Sequence, residues 1–205
     1  MASERPYIVI VAGPNGAGKS TTASSILQGA LGVVEFVNAD IIAQGLSGFR
    51  PETAAFQAGR IMLERIRYLA TERLNFAFEI TLASRTYASW IKKIRQTGYR
   101  CLLVFLWLPS PELAVSRVRE RVRLGGHDIH EEIIRRRYHA GIGNFFQLYR
   151  PLTEAWYFYD NSQRSPQLIA SSITELGDIH IENPRVWRQI KKDYNGKEKG
   201  KRQDF

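Results

Sequence analysis

The sequence predicts an α/β fold, a mostly parallel central sheet flanked by helices, with a helical lid that carries arginines. Three observations support this. An apolar run, Tyr7-Ile8-Val9-Ile10-Val11-Ala12, leads into Gly13-Pro14-Asn15-Gly16-Ala17-Gly18-Lys19-Ser20 and then Thr21-Thr22-Ala23-Ser24-Ser25-Ile26-Leu27, which reads as strand, glycine loop and helix. Further short apolar runs alternate with helical-period segments, the order expected of parallel strands joined by helical crossovers. Finally, Arg117, Arg119, Arg121, Arg123, Arg135, Arg136 and Arg137 gather in one internal stretch interrupted by Gly125-Gly126.

The glycines let the backbone turn so that successive N–H groups face inward. With the start of the next helix they form a nest for phosphate oxygens. Residues Gly13, Pro14, Asn15, Gly16, Ala17, Gly18, Lys19, Ser20 and Thr21 are therefore the expected nucleotide cradle of a P-loop NTPase fold. Lys19 is placed to meet the β and γ phosphates of ATP or GTP, and the Ser20 hydroxyl to hold Mg²⁺.

The chain has 205 residues, 44% of them hydrophobic and 24% charged. It is read as one domain over 1–194, with the lid at about 117–140 and a basic, disordered tail at 195–205. No apolar stretch approaches the roughly 18 residues of a membrane span, and the first residues show no apolar leader segment. Cys101 is the single cysteine, so no internal disulfide forms, which suits a reducing cytoplasm. The net charge of +9 admits nucleic acid, an anionic substrate or a solvated face. Arginine's fit to phosphate and its clustering favour the anionic substrate.

Val33 to Asn38 reads as a second strand ending at Ala39-Asp40. An Asp at the carboxyl end of a parallel strand faces the crevice where such sheets bind ligand. Asp40 is thus either the group that deprotonates or orients a substrate hydroxyl, or the N-cap of a following turn. Pro51 opens a helix to about Glu72 with an apolar stripe of Ala55, Phe56, Ile61, Met62, Ile66 and Leu69. Leu74 to Phe78 is a third strand, and Glu79-Ile80-Thr81 follows at its exit, either as ligand-binding groups or as caps for a helix from Ser84 to Gln96.

Cys101 to Leu108 has the continuous apolar character of a central strand buried on both faces. It lacks a terminal Asp, so Mg²⁺ needs a carboxylate elsewhere, Asp40 or Glu79. Pro111 to about Arg123 and His130 to about Tyr149 are two helices hinged at Gly125-Gly126-His127, read as a lid over phosphates. The stripe of the second is Ile134, Tyr138, Ile142, Phe145 and Tyr149, with Arg136 opposite and Arg135 and Arg137 on its flanks. Short elements at Ala155–Tyr159, Gln167–Ala170, Ile179–Ile181 and Pro184–Tyr194 complete the chain.

These residues resemble the zeta-toxin family of P-loop kinases, particularly its stand-alone bacterial branch, over about residues 7–162. The resemblance rests on Gly13 to Ser20; Asn38-Ala39-Asp40; Ala58-Gly59-Arg60; Phe78-Glu79-Ile80-Thr81-Leu82; Gly125-Gly126-His127; Arg136-Arg137-Tyr138; and Tyr159-Asp160-Asn161-Ser162. It implies a kinase that moves the γ-phosphate of ATP or GTP to a hydroxyl of a nucleotide-activated amino sugar resembling UDP-N-acetylglucosamine, and a possible antitoxin partner. Asp40 then matches the base. Glu79 and Thr81 match the acceptor-binding stretch, and the family's lid arginines correspond loosely to Arg121 or Arg123 and to Arg136 or Arg137. Arg121 and Arg137 are taken as the catalytic pair, with Arg60 and Arg136 on the acceptor. The chain departs from this branch in Ile80, where a second threonine is usual. Two other classes stay open: a nucleic-acid end kinase or RNA-linked ATPase, and a non-catalytic nucleotide-binding partner protein. No stacking aromatics interleave with the basic cluster, which argues against nucleic acid.

Overall fold

The computed structural model describes residues 5–25, 27, 33–126, 128–173 and 178–201. Seven strands form one sheet in the order β2-β3-β1-β4-β5-β6-β7. The strands are β1 (Tyr7–Ala12), β2 (Glu35–Val37), β3 (Phe76–Ile80), β4 (Arg100–Trp107), β5 (Ala155–Asp160), β6 (Gln167–Ile173) and β7 (Ile179–Ile181). β2 to β5 all run parallel to β1, and β6 and β7 are antiparallel additions at the edge. From β1 the chain crosses to the edge strand β2, returns to place β3 between them, and only then passes to β4 and β5 on the other side of β1. The crevice at the carboxyl end of β1 is therefore the switch point where open α/β sheets bind ligands.

Seven α-helices accompany the sheet among the described residues: α1 (Lys19–Ser25), α2 (Ala39–Leu46), α3 (Ala55–Thr71), α4 (Thr86–Arg95), α5 (Pro111–Arg123), α6 (Glu131–Asn144) and α7 (Pro184–Lys201). Alternation along the strands divides the core between the two faces of the sheet. Ile8, Ile10, Phe76, Phe78, Leu103, Phe105 and Phe158 pack with Met62, Ile66 and Leu69 of α3, Ile91 and Ile94 of α4, and Trp187 of α7. Val9, Val11, Ala77, Val104 and Leu106 pack on the other face with Ala23 of α1, Val115 and Val118 of α5, and Ile134 and Tyr138 of α6. Each such fully buried aliphatic or aromatic side chain stabilises the fold by about 1.5–3 kcal/mol. Cys101 lies in the first of these cores, where burial pushes its thiol up to about 12.

The sequence boundaries hold within a residue or two for β1, β4, α5 and β5. α5 starts where expected because Pro111 occupies its first turn and the Ser110 side chain accepts from Leu113 N, and it stops before Gly125, whose φ is +83°. Elsewhere the structure corrects the reading. The third strand is displaced to Phe76–Ile80, so Glu79 lies within it. The helix expected from Pro51 begins as a 3₁₀ turn, Pro51–Ala54. Along α3 the buried stripe is Ala58, Met62, Ile66 and Leu69, whereas Phe56 is 82% exposed. A full turn separates each pair of buried positions, and Phe56 falls off that line despite being the more apolar residue. The helix expected from His130 to about Tyr149 ends as α6 at Asn144 and continues as a π-helical turn, Phe145–Tyr149. β6 runs on to Ile173. α7 continues to Lys201, through part of the segment read as a disordered tail, where lysine and glutamate are good helix formers. Beyond Ser25 the expected end of the first helix falls, apart from Leu27, outside the described residues, as does the hinge residue His127. Among the described residues no helix is long and apolar enough to cross a membrane.

Candidate active site

The loop between β1 and α1 is held in shape by its glycines. Gly13 has φ +147°, and a Cβ there would stand 2.2 Å from the Leu106 carbonyl oxygen. No other residue can pass that close to β4. The Ala17 N–H donates to the Pro14 carbonyl at 3.2 Å and closes the turn. Lys19 is only 7% exposed and donates to the Pro14 carbonyl at 3.0 Å.

Glu79 approaches from the neighbouring strand. Its register partner is Val11, the penultimate residue of β1, which brings its carboxylate up beside the loop. Lys19 Nζ stands 3.5 Å from Glu79 Oε1. The Ser20 hydroxyl donates to Glu79 Oε2 at 2.7 Å, and Asn38 Nδ2 donates to the same oxygen at 2.8 Å. Both partners of the Lys19–Glu79 pair are less than a tenth exposed, and the extra donors satisfy the buried carboxylate. The reading of Glu79 as a helix cap is corrected: the Ser84 hydroxyl accepts from Thr86 N at the start of α4.

Asp40 is not an N-cap either. Asn38 takes that role, its Oδ1 accepting from Asp40 N at 2.7 Å and Ile41 N at 3.3 Å. Asp40 stands in the first turn of α2, its carboxylate left for other use. Asn38, which the sequence places in a motif without a site role, joins the cap of α2 to Glu79. The signal was available, since Asn is among the best N-cap residues and stands just before the helix.

A cavity of about 250 Å³ opens beside these groups. Asn15, Lys19, Asn38, Asp40, Glu79 and Thr81 line it from the sheet side, and Arg137 of α6 lines it from the lid side. Asn15 is 5% exposed, and its side-chain oxygen has no hydrogen-bond partner among the described residues. A buried polar atom left unsatisfied at the mouth of a loop fits a ligand-binding role. Burial pushes the Arg137 guanidinium down from its ordinary value and Arg136 adds to this, while the Asp40 carboxylate opposes it. Arg137 and Asp40 thus carry opposite charges on the lining of one cavity. α6 comes this close because Gly141 lies against the loop after β3: a Cβ there would be 2.6 Å from the Thr81 carbonyl oxygen.

The other arginines diverge. Arg136 and Arg60 are exposed and do not line the cavity, and neither does Arg121, whose side chain packs on Gly126. Arg135 is engaged by Glu112 and Glu131, and Arg119 by Glu131. Arg117 donates to the carbonyls of Asn161 and Ser162 at 2.8 and 2.7 Å. The apolar part of the cavity includes Met62 of α3, which the sequence marks only as core stripe, and Tyr87 of α4, which no motif marks.

The oxygen donors suit a hard cation. Ser20 Oγ and Glu79 Oε2 sit 2.7 Å apart beside Lys19, a pair that fits Mg²⁺ with phosphate and water completing its shell. Among the described residues no group of three His, Cys, Asp or Glu is placed to hold a metal, so such a cation depends on the phosphates it accompanies.

A glycine loop at the carboxyl end of a central parallel strand, with a buried lysine and helices on both faces, defines a P-loop protein of kinase-like fold. A family model for the AAA domain matches residues 8–139, and the chain belongs to that family. An uncharacterised protein of Haemophilus influenzae is 29% identical over 130 residues, covering 63% of this chain and 91% of the relative. Among solved structures, a chain of the AvrRxo1-ORF1:AvrRxo1-ORF2 complex with ATP superposes with a TM-score of 0.73 at 16% identity, over 91% of this chain. This chain spans only 63% of that one. A chain of the PezAT chromosomal toxin–antitoxin system of Streptococcus pneumoniae superposes with a TM-score of 0.63 at 14% identity, covering 96% of this chain and 87% of that one. At such identities the likeness is one of fold.

Proposed function

We propose that the protein is an ATP-dependent kinase that transfers the γ-phosphate to a hydroxyl of a small anionic acceptor. One observation carries the reading: Lys19, Glu79, Asp40 and Arg137 line the same cavity. The loop from Gly13 to Thr21 seats the triphosphate of ATP or GTP. Lys19 neutralises the β and γ phosphates, and Ser20 with Glu79 holds Mg²⁺, which supplies further charge neutralisation when bound. Asp40 orients the acceptor hydroxyl and takes its proton. Arg137 stabilises the charge of the transferring phosphoryl group from the lid side, and Thr81 contacts the acceptor. Catalysis of this kind is mostly positioning and electrostatics. Arg121, Arg136 and Arg60 reach the substrates only if α5–α6 and α3 shift on binding.

We take residues 1–194 as one catalytic unit with 117–140 as its lid. The motif resemblance to zeta toxins supports a nucleotide-activated amino sugar as acceptor. It also supports an antitoxin-like protein partner, as does the toxin–antitoxin setting of the PezAT chain.

The test is ATP consumption by wild type and Asp40→Asn against UDP-amino sugars, free sugars, nucleosides and short oligonucleotides, with products weighed by mass spectrometry. Gain of one phosphate on a sugar nucleotide, reduced about 10²–10⁴-fold in the variant, is the expected outcome. Phosphate appearing on an oligonucleotide end would replace the acceptor. Equal ATP hydrolysis by both proteins without a phosphorylated product would end the kinase reading.

A further inference from the structure

Behind the phosphate-binding loop lies a second set of contacts that the proposed chemistry does not use. Asn161 follows β5 directly and is 7% exposed. Its side-chain Nδ2 donates to the Ala17 carbonyl at 2.6 Å, and its backbone N–H donates to the Trp107 carbonyl at 2.9 Å. Its own carbonyl accepts from Arg117 Nη1 at 2.8 Å, while Arg117 Nη2 donates to the Ser162 carbonyl at 2.7 Å. One residue is thus tied to the end of β4, the glycine loop and α5.

We propose that Asn161 and Arg117 form a clamp that holds the loop in its nucleotide-binding shape, making Asn161 a positioning residue for the nucleotide. The proposal rests on the nucleotide site argued above. The Ala17 carbonyl and the Gly18 N–H belong to one planar trans peptide, so they point in opposite directions. Drawing the carbonyl toward Asn161 aims the Gly18 N–H away from the clamp. That N–H is one of the donors a phosphate nest needs.

Gly18 permits the approach. Its φ is +74°, and a Cβ there would stand 2.9 Å from Asn161 Nδ2. The arginine is suited to its part, because its planar guanidinium presents two N–H groups in a fixed fork to two successive carbonyls, a geometry that a lysine's compact ammonium on a flexible stem does not hold. Arg117 therefore reads the backbone, although it belongs to the cluster that the sequence marks as a phosphate-contacting lid. The arrangement also fixes the part of α5 around Arg117 to the loop. Any lid motion has to hinge beyond that point.

The experiment measures ATP affinity in the presence of Mg²⁺ together with the thermal midpoint, for Asn161→Ala, Asn161→Asp and Arg117→Lys. Tyr138→Phe serves as the control. It also removes a buried bond to a carbonyl, that of Leu108 at 2.7 Å, but does not touch the loop. Wild type and Lys19→Ala are compared first: loss of ATP binding in Lys19→Ala establishes the site. If wild type and Lys19→Ala bind alike, the site reading fails, and the clamp fails with it.

With the site established, Asn161→Ala is expected to weaken ATP binding about tenfold or more, the size set by leaving a buried carbonyl unpaired. Asn161→Asp, which presents an acceptor to an acceptor, should weaken it at least as much, and Arg117→Lys less. Tyr138→Phe should lower the midpoint and keep ATP affinity. Wild-type affinity in Asn161→Ala and Asn161→Asp would overturn the clamp, as would an equal loss in Tyr138→Phe. Where Asn161→Ala does not fold, Asn161→Asp and Arg117→Lys decide in the same way.

Discussion

The two sides of the cavity are built differently. On the sheet side, Lys19, Ser20, Asn38 and Glu79 form one interlocked and mostly buried set of hydrogen bonds and charge. On the α5–α6 side the arginines are dispersed among unlike tasks. Arg117 holds backbone carbonyls, Arg119 and Arg135 pair with carboxylates, Arg136 is exposed, and Arg137 lines the cavity. The first side is organised by chain continuity, since strand, loop and helix leave little freedom about where the lysine goes. The second depends on how a helix rolls against its neighbours, and at 100° per residue adjacent arginines face different surroundings.

The largest expected effect lies on the interlocked side. Lys19→Ala should lower kcat/KM for phosphoryl transfer by about 10³-fold or more. Glu79→Gln keeps the shape but removes the carboxylate that faces Lys19 and Ser20, and should cost about 10²-fold or more. A Glu79→Gln enzyme with normal turnover would show that the carboxylate only fills space.

The next prediction separates neighbours on one helix. Arg137→Ala should reduce kcat/KM by about 10²–10³-fold, while Arg136→Ala, an exposed change, should stay within about threefold of wild type. Kinetics on both variants at one acceptor concentration series are enough. A reversed order would mean that α6 rotates or shifts in the working complex, bringing Arg136 in.

How much was legible follows the same division. The P-loop announces itself because glycines recur at fixed spacing, and Asp40, Glu79 and Thr81 stand out because the carboxyl ends of parallel strands are where such sheets bind ligands; all three line the cavity. From the sequence Glu79 and Asp40 each read as ligand group or cap; in the structure Asn38 caps α2, and the Glu79 carboxylate is engaged by Lys19, Ser20 and Asn38. The strand displacement at Phe76–Ile80 was unreadable for a related reason: Leu74 is apolar enough to belong to a strand but is 42% exposed, and only pairing with β1 sets the register. Asn161 was visible in a motif, yet nothing local says that its amide reaches a carbonyl 144 positions earlier in the chain. The arginine cluster misled in its detail because composition fixes how many charges a segment carries, not which of them turn inward.

The smallest prediction tests the charges assigned to the surface. Arg135 of α6 joins that helix to α5 through Glu112 at 2.6 Å and pairs along α6 with Glu131 at 2.8 Å, in pairs open to solvent and screened by salt. Arg135→Ala should leave the kinetics unchanged and move the thermal midpoint by no more than about 2 °C. The hydrogen bond from Arg135 is the first of the causes that hold the Glu112 carboxyl below its ordinary value of 4.5. A carboxyl depressed in the folded state adds stability above its unfolded value and loses it as pH falls through the folded one. The small difference between wild type and Arg135→Ala should therefore be present at neutral pH and close as the pH drops below about 4.5. Thermal melts of both proteins from pH 7 to pH 3 would read it directly. A hundredfold loss of activity in a well-folded Arg135→Ala would move this arginine from the helix-joining group to the cavity, and the contrast with Arg137 would no longer hold.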